Sequence, residues 1–185
     1  MLHARARIIL GERSAAPQAQ SAALQIGGDM WVGGGWYGPD ALFHGPEFQG
    51  IAAVEACGPH GIVARVKTSP SPKTWVANPL RGSWIADPLA LDVSFQLMIL
   101  WTLGEQRAPS LPCAAVRYRQ FAARFPREGV RVVALVTQAT PQKATADIEF
   151  LDASGGVLAR MEGYECVIDP SLVEAFRRNA LGDAA

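Results

Sequence analysis

The sequence predicts an α+β domain in which one curved antiparallel sheet wraps a single buried helix. Three observations predict it. One run with helical spacing, 89–103, is apolar on nearly every side, so it has to be covered all round. Strand-like runs lie before it, at 51–56 and 61–67, and four more follow, at 113–122, 130–137, 144–151 and 157–167. The strands join through short turns rather than through alternating helices, which favours antiparallel pairing over a parallel sheet.

Each element has a local reason. Residues 3–10 alternate early and read as a strand, and 13–23 are rich in Ser, Ala, Gln and Pro and read as a linker. Residues 27–50 hold too much glycine for a helix interior and too many aromatics for a solvated loop. They read as a packed irregular segment with one or two short helical turns. Cys57-Gly58-Pro59-His60 turns the first strand into the second. Residues 68–84 read as loop. Asp87 then supplies an N-cap, Pro88 suits the first helical position, and Gly104 reads as the stop. Asp152-Ala153-Ser154-Gly155-Gly156 joins the last two strands as a hairpin. A short helix opens near Asp169-Pro170-Ser171. The resulting division is 1–27, strand and linker; 28–168, the domain; and 169–185, C-terminal helix and tail. One helix wrapped by one antiparallel sheet is the hotdog arrangement.

Composition narrows the function classes. The chain has 185 residues, with Lys+Arg 17 against Asp+Glu 17 and 49% hydrophobic residues, enough to bury a core. Balanced charge gives no footprint for a phosphate backbone, which argues against nucleic-acid binding. No run of apolar residues is long enough to span a membrane, and Arg5 and Arg7 interrupt the N-terminal apolar stretch where a signal peptide needs an unbroken one. A cytoplasmic protein is expected. Cys57, Cys113 and Cys166 show no CxxC and no histidine at ligand spacing, so they read as reduced, mostly buried small hydrophobes, with no metal site. Trp31, Trp36, Trp75, Trp84 and Trp101 are irregularly spaced and read as core and pocket walls. Gly33, Gly34 and Gly35 lack the strand and GK[ST] context of a phosphate loop.

The informative polar residues are few. Asp92 lies inside the apolar helix, and Gln96, one turn later, projects from the same face. Burying a carboxylate is costly, and Gln96 can donate a hydrogen bond to it. A carboxylic acid in an apolar pocket can donate a proton near neutral pH. An early-turn aspartate can equally pair with nearby backbone amides, and spacing alone does not choose. His44, beside Gly45 and Pro46 in the packed segment, reads either as a base or ligand contact or as a hydrogen-bonded loop residue. His3 and His60 read as surface residues.

These residues resemble the dehydratase domain of type I polyketide and polyunsaturated-fatty-acid synthases. Leu42-Phe43-His44-Gly45-Pro46-Glu47-Phe48-Gln49-Gly50 resembles that family's Y-G-P-x-F-Q-G segment, with His44 where Tyr is common. Asp87-Pro88-Leu89-Ala90-Leu91-Asp92-Val93-Ser94-Phe95-Gln96 resembles its D-P-x-x-L-D-x-x-x-Q helix, and Ser110-Leu111-Pro112 its S-L-P stretch. The strand pair ending in Gly163-Tyr164 resembles its closing hairpin. The likeness runs from about 28 to 167 and is to the C-terminal half of a double hotdog.

The resemblance implies removal of water from a β-hydroxyacyl thioester carried on the phosphopantetheine of an acyl carrier protein, with no other cofactor. Asp92 would be the acid and Gln96 its orienting partner. His44, Gly45, Pro46, Phe48, Gln49, Leu111 and Pro112 would shape the acyl site. The family's base histidine, in H-x-x-x-G-x-x-x-x-P, has no match, since Arg7, Phe48 and Ala64 follow His3, His44 and His60 at the glycine position. The chain is therefore expected to be part of a longer synthase-like protein and to need a second hotdog, either a copy of itself or a histidine-bearing N-terminal half. A non-catalytic acyl-binding or dimerisation module is the alternative. A thioesterase, with Asp92 activating water, is a third reading.

Overall fold

The computed structural model describes residues 5–12, 14–20, 26–38 and 41–179. It has the hotdog fold. Strands β1 (Ile51–Gly58), β2 (Gly61–Val66), β3 (Ser110–Ala114), β4 (Arg117–Gln120), β5 (Val130–Thr140), β6 (Lys143–Leu151) and β7 (Val157–Ile168) form one antiparallel sheet. Its order is β1-β2-β5-β6-β7-β3, with β4 also on β7. The short helix α1 (Pro72–Trp75) precedes the long helix α2 (Pro88–Glu105), and α3 (Leu172–Asn179) follows the sheet.

Helix α2 packs against β1, β2, β3 and β5. Val93, Leu97, Leu100 and Trp101 are buried on it, against Ile62 and Ala64 of β2, Val132 and Ala134 of β5, and Ile148 and Phe150 of β6. Burial at about 25 cal/mol per Å2 of apolar surface makes this helix the main contributor to the core. Its start is fixed twice. Asp87 accepts from the Ala90 amide at 2.9 Å and from the Ser69 amide at 2.9 Å, while Ser69 Oγ accepts from the Leu89 amide at 2.8 Å. These bonds satisfy donors that a helix N-terminus leaves open.

Gly50 brings the segment before β1 against α2. A Cβ there would meet Val93 Cγ2 at 2.6 Å and Leu89 Cδ1 at 2.9 Å, so only hydrogen fits. Gly50→Ala is expected to cost about 1–3 kcal/mol by overpacking. Urea melts measure this, and a variant as stable as the parent would show that the segment separates from α2 without cost.

Several sequence expectations need correction. Residues 5–10 form no strand, and Ile8, Ile9 and Leu10 are exposed. His3 lies outside the described residues. The outer face of the sheet is instead approached by the segment around residue 20. The Gln20 amide donates to the buried Glu149 at 3.0 Å, and Arg160 bonds both Glu149 and the Gln18 carbonyl. Gly104 does not stop α2, which continues to Glu105. This glycine is a packing residue, because a Cβ would run into Met30 and come within 3.3 Å of the Trp31 ring. The expected loop at 68–84 contains α1, and the run at 113–122 is divided into β3 and β4. Cys113 is exposed rather than buried.

Candidate functional site

The packed segment before β1 and the second turn of α2 meet at Asp92. Gln96 Nε2 donates to Asp92 Oδ2 at 2.7 Å and to the Phe48 carbonyl at 2.8 Å. Gln96 Oε1 accepts from the Tyr37 hydroxyl at 2.9 Å, and that hydroxyl accepts from the Ile51 amide at 3.0 Å. The chain of donors fixes the amide's direction. Tyr37 already accepts from Ile51, and burial pushes its phenol up to about 12, so its proton stays in place to be donated. Gln96 must therefore turn its oxygen to Tyr37 and both amide hydrogens to Phe48 and Asp92. Gln96 is fully buried, whereas the Asp92 side chain keeps 32% of its exposure. A carboxylate held from below by a buried amide and open on its other side is placed to meet a ligand.

The same oxygen faces a histidine. His44 Nε2 lies 3.6 Å from Asp92 Oδ2, just beyond hydrogen-bond distance. The His44 ring stacks on Phe43, with centroids 4.6 Å apart, and Phe43 packs on Phe176 of α3 at 4.4 Å. Its Nδ1 is buried and makes no hydrogen bond. Burial pulls the imidazole below its ordinary value, and the negative charge of Asp92 partly opposes that. Gln49 Nε2 donates back to the His44 carbonyl at 3.1 Å, and a single 3-10 turn, Pro46–Phe48, lies between them. Gly45, Pro46 and Gln49 thus hold the loop's shape. Phe48 contributes its carbonyl, while its ring lies half-exposed on Trp75 at 5.3 Å.

The other expected lining residues are not brought here. Leu111 and Pro112 sit on β3, paired with Val167 and Cys166 of β7. β3 begins beside Thr102 of α2, whose hydroxyl donates to Ser110 Oγ at 3.0 Å. Thr102 is ten residues beyond Asp92, about 15 Å along the helix axis. Tyr37, conversely, went unrecognised as a site residue in the sequence. Its only signal is membership of the aromatic-rich segment. A cleft of about 490 Å3 opens at the N-terminal end of α2, lined by Ser71, Trp84, Asp87, Arg124 and Arg127 among others, but neither Asp92 nor His44 borders it.

The thiols are poor nucleophiles. Burial pushes Cys57 up to about 12 and also raises Cys166 and the exposed Cys113. Among the described residues no group of three or more His, Cys, Asp or Glu is arranged to hold a metal ion, and no helix is long and apolar enough to cross a membrane.

Comparison with known proteins gives one coherent result. A family model described as the polyketide synthase dehydratase N-terminal domain matches residues 15–170. Over 119 residues, 62% of the chain, the sequence is 29% identical to a polyunsaturated fatty acid synthase polypeptide of Thraustochytrium sp., of which it covers 4%. A trans-AT polyketide synthase dehydratase domain from Brevibacillus brevis superposes with a TM-score of 0.59 at 20% identity, covering 87% of this chain and 56% of that one. The dehydratase domain of a mycocerosic acid synthase-like polyketide synthase gives 0.59 at 24% identity, over 90% and 58% of the two chains. At these identities the structural likeness shows the fold. The chain spans a small fraction of the curated relative and little more than half of each solved domain.

The matched family model overturns one expectation. The sequence was expected to be the C-terminal half of a double hotdog, because it has D-x-x-x-Q and lacks H-x-x-x-G-x-x-x-x-P. The family model is described as the N-terminal domain, and its match includes the D-x-x-x-Q helix and the G-P-E-F-Q-G loop together. Those motifs therefore do not assign the chain to a C-terminal half.

Proposed function

The chain belongs to the polyketide synthase dehydratase family, and from that premise we propose that it acts on a β-hydroxyacyl thioester presented by an acyl carrier protein, removing water, with Asp92 as the acid. The reaction explains the residue type. The thioester carbonyl acidifies the α-proton, but hydroxide is a poor leaving group and must depart as water. A carboxyl group held beside the β-carbon can supply that proton. The observation that carries the reading is the Gln96 amide. It is locked by Tyr37 and Phe48 so that it presents a donor to one oxygen of Asp92. Gln96 is a positioning residue. His44 and Phe48 border the reacting end, and Gly45, Pro46 and Gln49 shape the loop that carries them.

Partners follow from the same reading. A carrier protein brings the substrate on its phosphopantetheine arm. A second hotdog covers the β3 edge, where Leu111, Val116 and Val167 are exposed. Self-association through that edge predicts a dimer by light scattering at micromolar concentration. A monomer there means that the covering surface belongs to another chain or domain.

Product analysis tests the function. The chain is incubated with a β-hydroxyacyl pantetheine, and the mixture is resolved by mass spectrometry. Loss of one water with the thioester intact is expected. Release of free pantetheine thiol would instead identify a thioesterase. Saturable binding with neither product, both alone and with a second, histidine-bearing hotdog added, would identify an acyl-binding module.

A further inference from the structure

We infer that the cleft at the N-terminal end of α2 binds a phosphoryl group, held by Arg124 and Arg127. The site is separate from Asp92, since neither Asp92 nor His44 borders it, and it does not depend on how Asp92 is read. Its volume of about 490 Å3 leaves room for an organic chain beside the phosphate.

Most polar groups around the cleft are already engaged. Thr68 Oγ1 donates to the Pro126 carbonyl at 2.8 Å, and Trp84 Nε1 to the Pro70 carbonyl at 2.7 Å. Gln120 Nε2 donates to the carbonyls of Ile85 at 2.9 Å and Ala122 at 3.1 Å, which uses both amide hydrogens. Asp87 is the carboxylate on the wall. It accepts from the Ser69 amide at 2.9 Å, the Ser69 hydroxyl at 2.8 Å and the Ala90 amide at 2.9 Å. The helix end offers an anion nothing further. Pro88 has no N–H, and the amides of Leu89, Ala90 and Leu91 donate to Ser69 Oγ, Asp87 Oδ1 and the Asp87 carbonyl. Two guanidinium groups are left. Arg124 and Arg127 are exposed, and among the described residues neither makes a hydrogen bond or an ion pair, not even with Glu128 beside them. Their segment is held in place, because Gln120 binds it at Ala122 and Thr68 at Pro126. A guanidinium presents a planar fork of donors that matches phosphate oxygens.

Two sources can supply the phosphoryl group, the pantetheine arm of a carrier protein and free phosphate. A path of rings favours the arm. Trp84, on the cleft wall, lies 6.0 Å from Trp75, and Trp75 lies 5.3 Å from Phe48, whose carbonyl accepts from Gln96. Asp87 at the cleft and Asp92 are five residues apart on α2, about 7.5 Å along its axis. An extended pantetheine chain, with its phosphate and its thioester at opposite ends, suits that path.

Isothermal titration calorimetry of the full chain with phosphopantetheine, pantetheine and inorganic phosphate tests the site. The parent is compared with the double variant Arg124→Gln/Arg127→Gln, which should melt with the parent because both side chains are exposed and unbonded. Phosphopantetheine is expected to bind the parent at least about tenfold tighter than pantetheine does. It should weaken about tenfold to a hundredfold in the double variant, while pantetheine binding stays as it was. Arg5→Gln/Arg7→Gln removes two exposed cations elsewhere and should bind phosphopantetheine as the parent does. Inorganic phosphate decides the source. Binding at least about tenfold weaker than that of phosphopantetheine identifies the arm, and equal binding with the same dependence on the two arginines identifies free phosphate. The inference fails if phosphopantetheine binds no better than pantetheine, or if none of the three binds. It fails equally if the Arg124/Arg127 variant binds as the parent does, or if the Arg5/Arg7 variant loses as much. No readout here uses turnover, so such a failure leaves the reading of Asp92 standing, and a failure of that reading in product analysis leaves the cleft standing.

Discussion

Gln96→Leu is expected to lower stability by about 2–4 kcal/mol, because it removes the partner of three polar groups in a partly buried network. For a chain of this size that is a fall of roughly 5–15 °C in melting temperature. Leucine matches glutamine in volume and suits an apolar helix, so the loss is not one of packing. It comes from three bonds. The Tyr37 hydroxyl loses its acceptor, the Phe48 carbonyl loses one donor, and Asp92 loses the amide that orients it. The Phe48 carbonyl still accepts from the Gly50 amide at 2.9 Å, so the larger share falls on Tyr37 and Asp92. Turnover should fall with stability, since the carboxyl is then free to rotate. Groups that act as one network are not additive. Tyr37→Phe together with Gln96→Leu should therefore cost less than the two single changes summed. Strict additivity in urea melts would sink the network.

The sequence made this network half legible, for a reason of distance along the chain. Asp92 and Gln96 are four residues apart on a helix whose cap, first residue and apolar body are all local signals, so their shared face could be read directly. Tyr37 and His44 reach the same point through an irregular segment, 59 residues before Gln96 in the case of Tyr37. No periodicity describes such a path. Gly104 shows the converse failure. Local chemistry makes a glycine near a helix end a stop, but here Met30 and Trp31, more than seventy positions away, need the space beside it. The strand hairpins were legible because their turns are local. Leu111 and Pro112 were misplaced because a family-like motif gives neighbours in sequence, whereas β3 enters beside Thr102, at the far end of the helix from Asp92.

The strand at 3–10 failed for a related reason. Alternation through Arg5 and Arg7 satisfies a strand pattern, but a strand also needs a partner, and residues 5–10 pair with no strand of the sheet. On the outer face, the pairing partner used is a charge. Glu149 is fully buried and bonded by Arg160 and by the Gln20 amide, so the segment around residue 20 is anchored by a carboxylate rather than by a ladder.

Asp92→Asn is expected to reduce dehydration by about 10²–10⁴-fold while leaving the fold in place. The asparagine oxygen can still accept from Gln96 Nε2, so the network behind it survives, but the side chain has no acidic proton to give to a departing hydroxyl. The substitution also has a consequence that does not depend on turnover. Burial lowers His44 from its ordinary 6.5, and the charge of Asp92 pulls it partly back. Removing the charge leaves burial unopposed, so His44 should titrate at a lower pH in the variant. The linkage sign follows. A histidine depressed on folding favours the native state while it is neutral, above about pH 6.5. That contribution is lost as pH falls through the unfolded value and levels off below the folded one. With the depression deepened, Asp92→Asn should lose more stability than the parent between neutral pH and about pH 5. Following the His44 ring by NMR across that range, with thermal melts at each end, measures both effects. A His44 that titrates unchanged, or at higher pH, in the variant would place Asp92 outside its field.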